Sequence, residues 1–374
     1  MTQRRASAAL ISVFALVMWA ASPALDAQNQ QPQKQKQTDA QKKDTQAAVK
    51  AADDAMAGQP APNDLGATWV REDFLKALGN KEYVPFTVGI DPSKLNGVTT
   101  IAFYWRVVAH AAAEAAPAAP AAGQKKDDKK DDKKDSKKKE YAYEDISFTA
   151  VPPGQTPLRI ARSFTVSAGA YDVIVVAREP TPEKAPKNAP PAKTSVIKQT
   201  VTVPEFWNSE LSTSSVLVTE KIDPLPAPLT PEQQADRPYA MGTMELLPKY
   251  DMKFTKKSEI QTFMLIYNPQ TDKANKPDVT VEYNFCQVAP GTEPKAGEPC
   301  KAGEKFFNKT NPQNLNASTL PPVFDMAAGH QLQTGQAVPL ASFPEGQYRL
   351  EIKVTDKIAN KSLTRDVNFT ISPS

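Results

Sequence analysis

Tyr348, Leu350, Ile352 and Val354 alternate with Arg349, Glu351 and Lys353, the period of a strand that buries one face and wets the other. The alternation predicts that the first set points into a core and the second into water, as in antiparallel sheets stacked face to face. Residues 101–107 and 141–148 also have strand composition, as do 173–176 and 196–203. Laid side by side, the two halves of the chain repeat the same series. Gly169-Ala170-Tyr171 and Gly346-Gln347-Tyr348 each open a strand, 98–107 corresponds to 279–285, 200–203 to 367–371, and 83–90 to 259–267. The chain is therefore predicted to be all-β: two tandem β-sandwiches of the immunoglobulin or fibronectin kind. Tyr171 and Tyr348, each following a Gly-x step, are candidates for a tyrosine corner, in which the hydroxyl ties down a crossing loop; the alternative is an ordinary aromatic strand residue.

Breaks in the pattern divide the chain. Arg4 and Arg5 precede an apolar run over 8–21, followed by Ser22-Pro23 and Ala24-Leu25-Asp26-Ala27, which reads as a secretory signal peptide (1–27) cut after Ala27. The run is shorter than the roughly 20 residues a spanning helix needs, so no transmembrane segment is expected after cleavage. Residues 28–62 are dominated by Gln, Lys, Asp and Ala and read as a disordered polar linker, in which 40–55 samples helix only transiently. The first sandwich is expected at 63–205, carrying a disordered low-complexity insertion at 110–140, Ala/Pro-rich and then Lys/Asp-rich. A Pro-rich connector at 206–238 then leads to the second sandwich at 239–374.

Composition narrows the function. The 374 residues hold 45 Lys+Arg against 42 Asp+Glu, a net charge of +3, which argues against nucleic-acid binding. Thirty-four prolines suit loops and edge strands better than helices. Cys286 and Cys300 are the only cysteines, and the oxidising compartment implied by the leader predicts that they pair. The only histidines, His110 and His330, stand outside any metal or hydrolase motif, so no catalytic set, metal or cofactor is expected. Two carboxylates meeting in space would still allow a cryptic hydrolase. Phe206, Trp207, Phe306 and Phe307 are candidate binding aromatics for a sugar or a protein partner, or else seal the core and the module junction.

Residues 340–356, continuing through Asn360-Lys361 to 367–370, resemble a C-terminal immunoglobulin-like module in secreted proteins of acidobacteria; the segment 206–219 is similar to their connecting stretch. Those proteins include ones with a Gly-Trp-x-Thr-Asp domain or a von Willebrand-type domain ahead of the module. The resemblance covers about the last 170 residues, and this chain lacks the Gly-Trp-x-Thr-Asp motif. It implies an immunoglobulin-like fold and an envelope location. The expectation is a non-catalytic periplasmic or extracellular protein, a protein–protein interaction or structural module whose partner is an envelope protein, with a polysaccharide-binding protein as the alternative.

Overall fold

The computed structural model describes residues 37–373 apart from 96, 111–140, 153, 155, 183–189 and 296. The expected signal peptide and low-complexity insertion lie outside the described residues, save His110. The described residues form two compact units, one of 37–207 with Thr230–Pro238, the other of Asn208–Leu229 with 239–373.

The first unit is a sandwich of two four-stranded sheets. In one sheet β1 (Thr68–Glu72) and β2 (Leu75–Lys76) line one edge of β3 (Glu82–Ile90), and β6 (Leu158–Val166) lines the other. The other runs in the order β5 (Tyr143–Ala150), β4 (Thr100–Ala109), β7 (Gly169–Arg178), β8 (Thr194–Val203). With β1 and β2 taken as one broken strand A, the order is A-B-E against C′-C-F-G, that of a fibronectin-type sandwich. Val84, Phe86 and Val88 from the first sheet meet Phe103, Trp105, Val173 and Val175 from the second in one core. Each large apolar side chain so buried contributes roughly 1.5–3 kcal/mol.

The second unit repeats this order. Its first sheet sets β9 (Ser212–Thr213) and β10 (Leu217–Pro224) along one edge of β14 (Glu259–Tyr267), with β18 (Leu332–Pro339) along the other, and adds β11 (Ala240–Met241) and β12 (Met244–Pro248) beside β10. Its second sheet places β16 (Glu304–Lys309) and β17 (Gln313–Leu315) beside β15 (Val279–Val288), then β19 (Gly346–Asp356), β20 (Lys361–Ser372) and, parallel to β20, β13 (Lys253–Thr255). The repeat extends to register: Gly169 pairs with Val203 and Tyr171 with Val201, as Gly346 pairs with Ile371 and Tyr348 with Phe369. Both glycines have positive φ (151° and 140°), a conformation that a side chain disfavours, which explains why Gly opens both strands.

Two expectations are corrected. The linker 28–62 contains an ordered helix, α1 (Asp39–Met56), capped by a reciprocal Thr38–Gln41 pair and packed on β4, β7 and β8. It is ordered because the sheet buries its Ala48 and Ala52, which a polar segment alone could not do. The connector 206–238 is likewise not a spacer. Its apolar Leu217 and Val218 complete the second unit's sheet, whereas 230–238, with the short helix α2 (Pro231–Asp236), belongs to the first unit. There Asp236 pairs with Arg162 at 2.9 Å and the Tyr83 hydroxyl donates to the Pro238 carbonyl at 3.0 Å.

Candidate functional site

Three charged groupings among the described residues bear on a site. In the second unit, Cys286 on β15 is disulfide-bonded to Cys300, closing the loop that leads into β16. Arg349, on the outer face of β19, is covered by this loop and is only 4% exposed; the expectation that it faces water is corrected. Its guanidinium donates to both oxygens of Glu304 (2.8 and 2.7 Å), to Asp366 (2.8 Å) and to the Pro299 carbonyl (2.9 Å). Lys301 also reaches Asp366, at 2.5 Å. A bidentate arginine–carboxylate pair is directional, so this cluster fixes the loop geometry beside the disulfide. The hydrogen bond from Arg349 is the main reason the Glu304 carboxyl is held below its ordinary pKa. Ligand atoms of Cys286, Cys300 and Glu304 lie within 4.8 Å of one another, but the sulfurs are bonded together and Glu304 is engaged by Arg349, so the group is a clamp rather than a metal centre.

In the first unit, Arg106 on β4 is 1% exposed. It donates to Asp53 of α1 at 2.6 Å, to the Tyr104 hydroxyl at 2.7 Å and to Glu144 at 3.1 Å, and it lies 3.9 Å from the Tyr141 ring centroid. Nearer the start of α1, buried Asp44 accepts from the Thr181 hydroxyl (2.6 Å) and backbone, with Arg178 at 3.5 Å. The helix is thus held by its alanines and by a carboxylate near each end. Beside it, Asp172 takes Lys198 (2.9 Å) and His110 (3.0 Å). Burial pushes its pKa up, but the bonds from Lys198, His110 and Thr200 outweigh this and bring it to about 2.

The third place is the end of β3. Glu82 is fully buried; its Oε1 accepts the Phe206 N–H at 3.0 Å and its Oε2 has no partner. Burial pushes its pKa up to about 7 despite the Phe206 bond, with Glu205 adding to the rise and Lys76 opposing it. Glu82 and Glu205 are an interacting acidic pair, as a hydrolase would need, but Glu82 is sealed from solvent.

The sequence-predicted residues fall out as follows. The Tyr171 hydroxyl donates to the Ser167 carbonyl and that of Tyr348 to the Pro344 carbonyl, each at 2.8 Å and four residues back, the bond pattern of a tyrosine corner. The four candidate aromatics are divided between the units, two in each. Phe206 is buried, and Trp207 donates to the Lys81 carbonyl at 3.1 Å with the Lys76 ammonium 4.1 Å from its ring centroid. Phe307 extends the second core, 4.7 Å from Phe343, and sits at a bulge in β16, beyond which Phe306 pairs with Cys286 of β15. His330 accepts the Asp325 N–H at 2.9 Å. Sequence reasoning missed Arg106, Asp53, Glu82 and the clamp around Arg349. A signal was present: Arg106 is a lone charge in the apolar run Phe103-Tyr104-Trp105-Arg106-Val107-Val108.

No family model matches the chain, and no curated protein matches it. Among solved structures, it is similar to alpha-2-macroglobulin of Salmonella reacted with methylamine (12% identity, 84% of this chain and 17% of that one, TM-score 0.18). It is also similar to the native conformation of E. coli alpha-2-macroglobulin (13% identity, 84% and 16%, TM-score 0.20) and to red sea bream transglutaminase (9% identity, 86% and 33%, TM-score 0.18). The chain thus spans less than a fifth of the macroglobulins, and its fold rests on its own strand order.

Proposed function

We propose that the protein is a secreted, non-catalytic component of the periplasm or extracellular space whose two sandwiches act as protein–protein interaction or structural modules. The observation that carries this reading is how the charged side chains are spent. Arg349 with Glu304 and Asp366, and Arg106 with Asp53 and Glu144, neutralise one another and hold a loop and a helix on sheet faces, leaving the scaffold as the working part. The disulfide supports the secreted location, because such bonds persist in oxidising compartments. Among the described residues no helix is long and apolar enough to cross a membrane. The test is an affinity pull-down of the mature chain from its host's envelope fraction, split into protein and polysaccharide pools. Enrichment of a defined protein is expected; retention by polysaccharide alone, or no retention, would overturn the reading.

A further inference from the structure

Strand β3 sends Val84, Phe86 and Val88 into the first core, and the same two-residue spacing turns Glu82 toward the end of that core. A carboxylate buried there needs donors for both oxygens. Glu82 has one: Oε1 accepts the Phe206 N–H at 3.0 Å, and the buried Oε2 has no hydrogen-bond partner. The elements packed around it do not supply the second. Lys76, opposite it on β2, has its ammonium 4.1 Å from the Trp207 ring centroid, and Glu205 adds a like charge while accepting the Trp207 N–H. On β7 the Tyr171 hydroxyl donates to the Ser167 carbonyl, and β6 sets Val166 opposite Glu82. Residues 204–207 close this end of the sandwich: Phe206 is buried, and the Trp207 indole N–H donates to the Lys81 carbonyl at 3.1 Å. They follow directly on β8, and the second unit begins at Asn208.

A buried carboxylate with a single donor is far costlier than the neutral acid, because nothing replaces the water lost from around the charge. Lifting 204–207 would let water reach Oε2, at the loss of the Phe206 bond and its burial. We propose that Glu82 is the catch of a pH-operated latch: as the neutral acid it holds 204–207 against the end of the first sandwich, and on losing its proton it releases them. Burial lifts the pKa of the closed form from 4.5 to about 7, in keeping with that geometry. The closed form therefore binds the proton more tightly than the open one; it is favoured fully below about pH 4.5 and loses ground as pH rises through about 7. The ratio of open to closed forms is expected to rise on the order of 70-fold between pH 5 and 8. Release frees the passage of the chain out of the first unit and leaves its core intact. The inference goes beyond the interaction reading and holds or fails separately from it.

The experiment follows native-state hydrogen exchange of the full-length mature chain between pH 5 and 8, each rate divided by the intrinsic exchange rate at that pH. Protection of the Phe206 and Trp207 amides is expected to fall on the order of 70-fold across this range, while β4 and β7 keep theirs. Glu82→Gln, neutral at every pH, is expected to stay protected throughout. Glu205→Gln removes the like charge and is expected to lower the pH at which the loss of protection levels off. Equal protection at pH 5 and pH 8 overturns the latch. So does a loss that persists in Glu82→Gln, which would assign the titration to another group such as His110, or a loss shared equally by β4 and β7, which would make it general destabilisation. If Glu82→Gln does not fold, Glu205→Gln carries the test, and a levelling-off point that stays where it was overturns the proposal.

Discussion

The two sandwiches share strand order and register, yet they treat the same outer face in opposite ways. By register, Ile174 and Val176 on β7 correspond to Glu351 and Lys353 on β19, Tyr104 and Arg106 on β4 to Glu282 and Asn284 on β15, and Val196 on β8 to Thr364 on β20. The first face is apolar and roofed by α1; the second is polar and crossed at one end by the disulfide loop. The contrast reaches the charges: Asp172, held by Lys198 and His110, occupies the position of Arg349, held by Glu304 and Asp366. The face of a sandwich is therefore set by what covers it, while the core sequence sets only that there is a sandwich.

The largest expected effect is on the charged side. Arg349→Ala leaves Glu304 without its cation, and Asp366 with Lys301 alone, in a partly buried cluster and is expected to cost about 3 kcal/mol, read as a lowered urea midpoint for the second unit. A shift under about 1 kcal/mol would show that the clamp is ornamental.

Ile174→Glu places the second unit's residue on the first unit's face. It is expected to cost about 2–3 kcal/mol of helix docking and to strip hydrogen-exchange protection from residues 39–56, leaving β19 and β20 protected as before. Unchanged protection in the helix would mean that the apolar face does not hold it.

An effect of similar size separates this face from the rest of the first sandwich. Glu82 has a folded pKa raised from 4.5 to about 7, so between those values the folded state binds the proton more tightly than the unfolded one. Stability from this group is present below about pH 4.5, falls as pH rises through about 7 and is flat above. Glu82→Gln keeps an acceptor for the Phe206 N–H and is expected to abolish a stability change on the order of 2–3 kcal/mol between pH 5 and 8. The same change in the variant would assign it to another group.

The smallest effects compare like with like. Tyr171→Phe and Tyr348→Phe each remove one hydroxyl bond to a carbonyl four residues back and are each expected to cost about 1 kcal/mol. Equal costs would make the two corners interchangeable; a cost in one unit alone would tie the corner to that unit's cover.

Much of the sandwich was legible because its signal is local. The paired Gly-x-Tyr steps and the alternation from Tyr348 to Val354 mark strands whatever lies beyond them. Strand β6 carries the same alternation, with Leu158, Ile160, Phe164 and Val166 buried, but Arg162 at a buried position of the same series disguises it. The face was also written in the strand: Val173-Ile174-Val175-Val176 is apolar on both sides, where Leu350-Glu351-Ile352-Lys353 alternates. A continuous run of that kind announces a second covered face without naming the cover. The roles of the aromatic candidates were left open for the complementary reason, since a ring in a sequence looks free until packing assigns its two sides.

By itself, the sequence determined the β-class, the two-fold repeat down to its strand partners, and the pairing of the only two cysteines. Each follows from period-two patterning or from composition, which neighbours along the chain already contain. Tertiary structure alone decided that 39–56 is a helix on a sheet, that 206–238 is divided between the units, and that Arg349 is buried. Arg106 meets Asp53 across 53 residues and Arg349 meets Glu304 across 45. Whether a polar segment orders or an arginine stays wet depends on surface offered from that far away, and no local pattern carries that information.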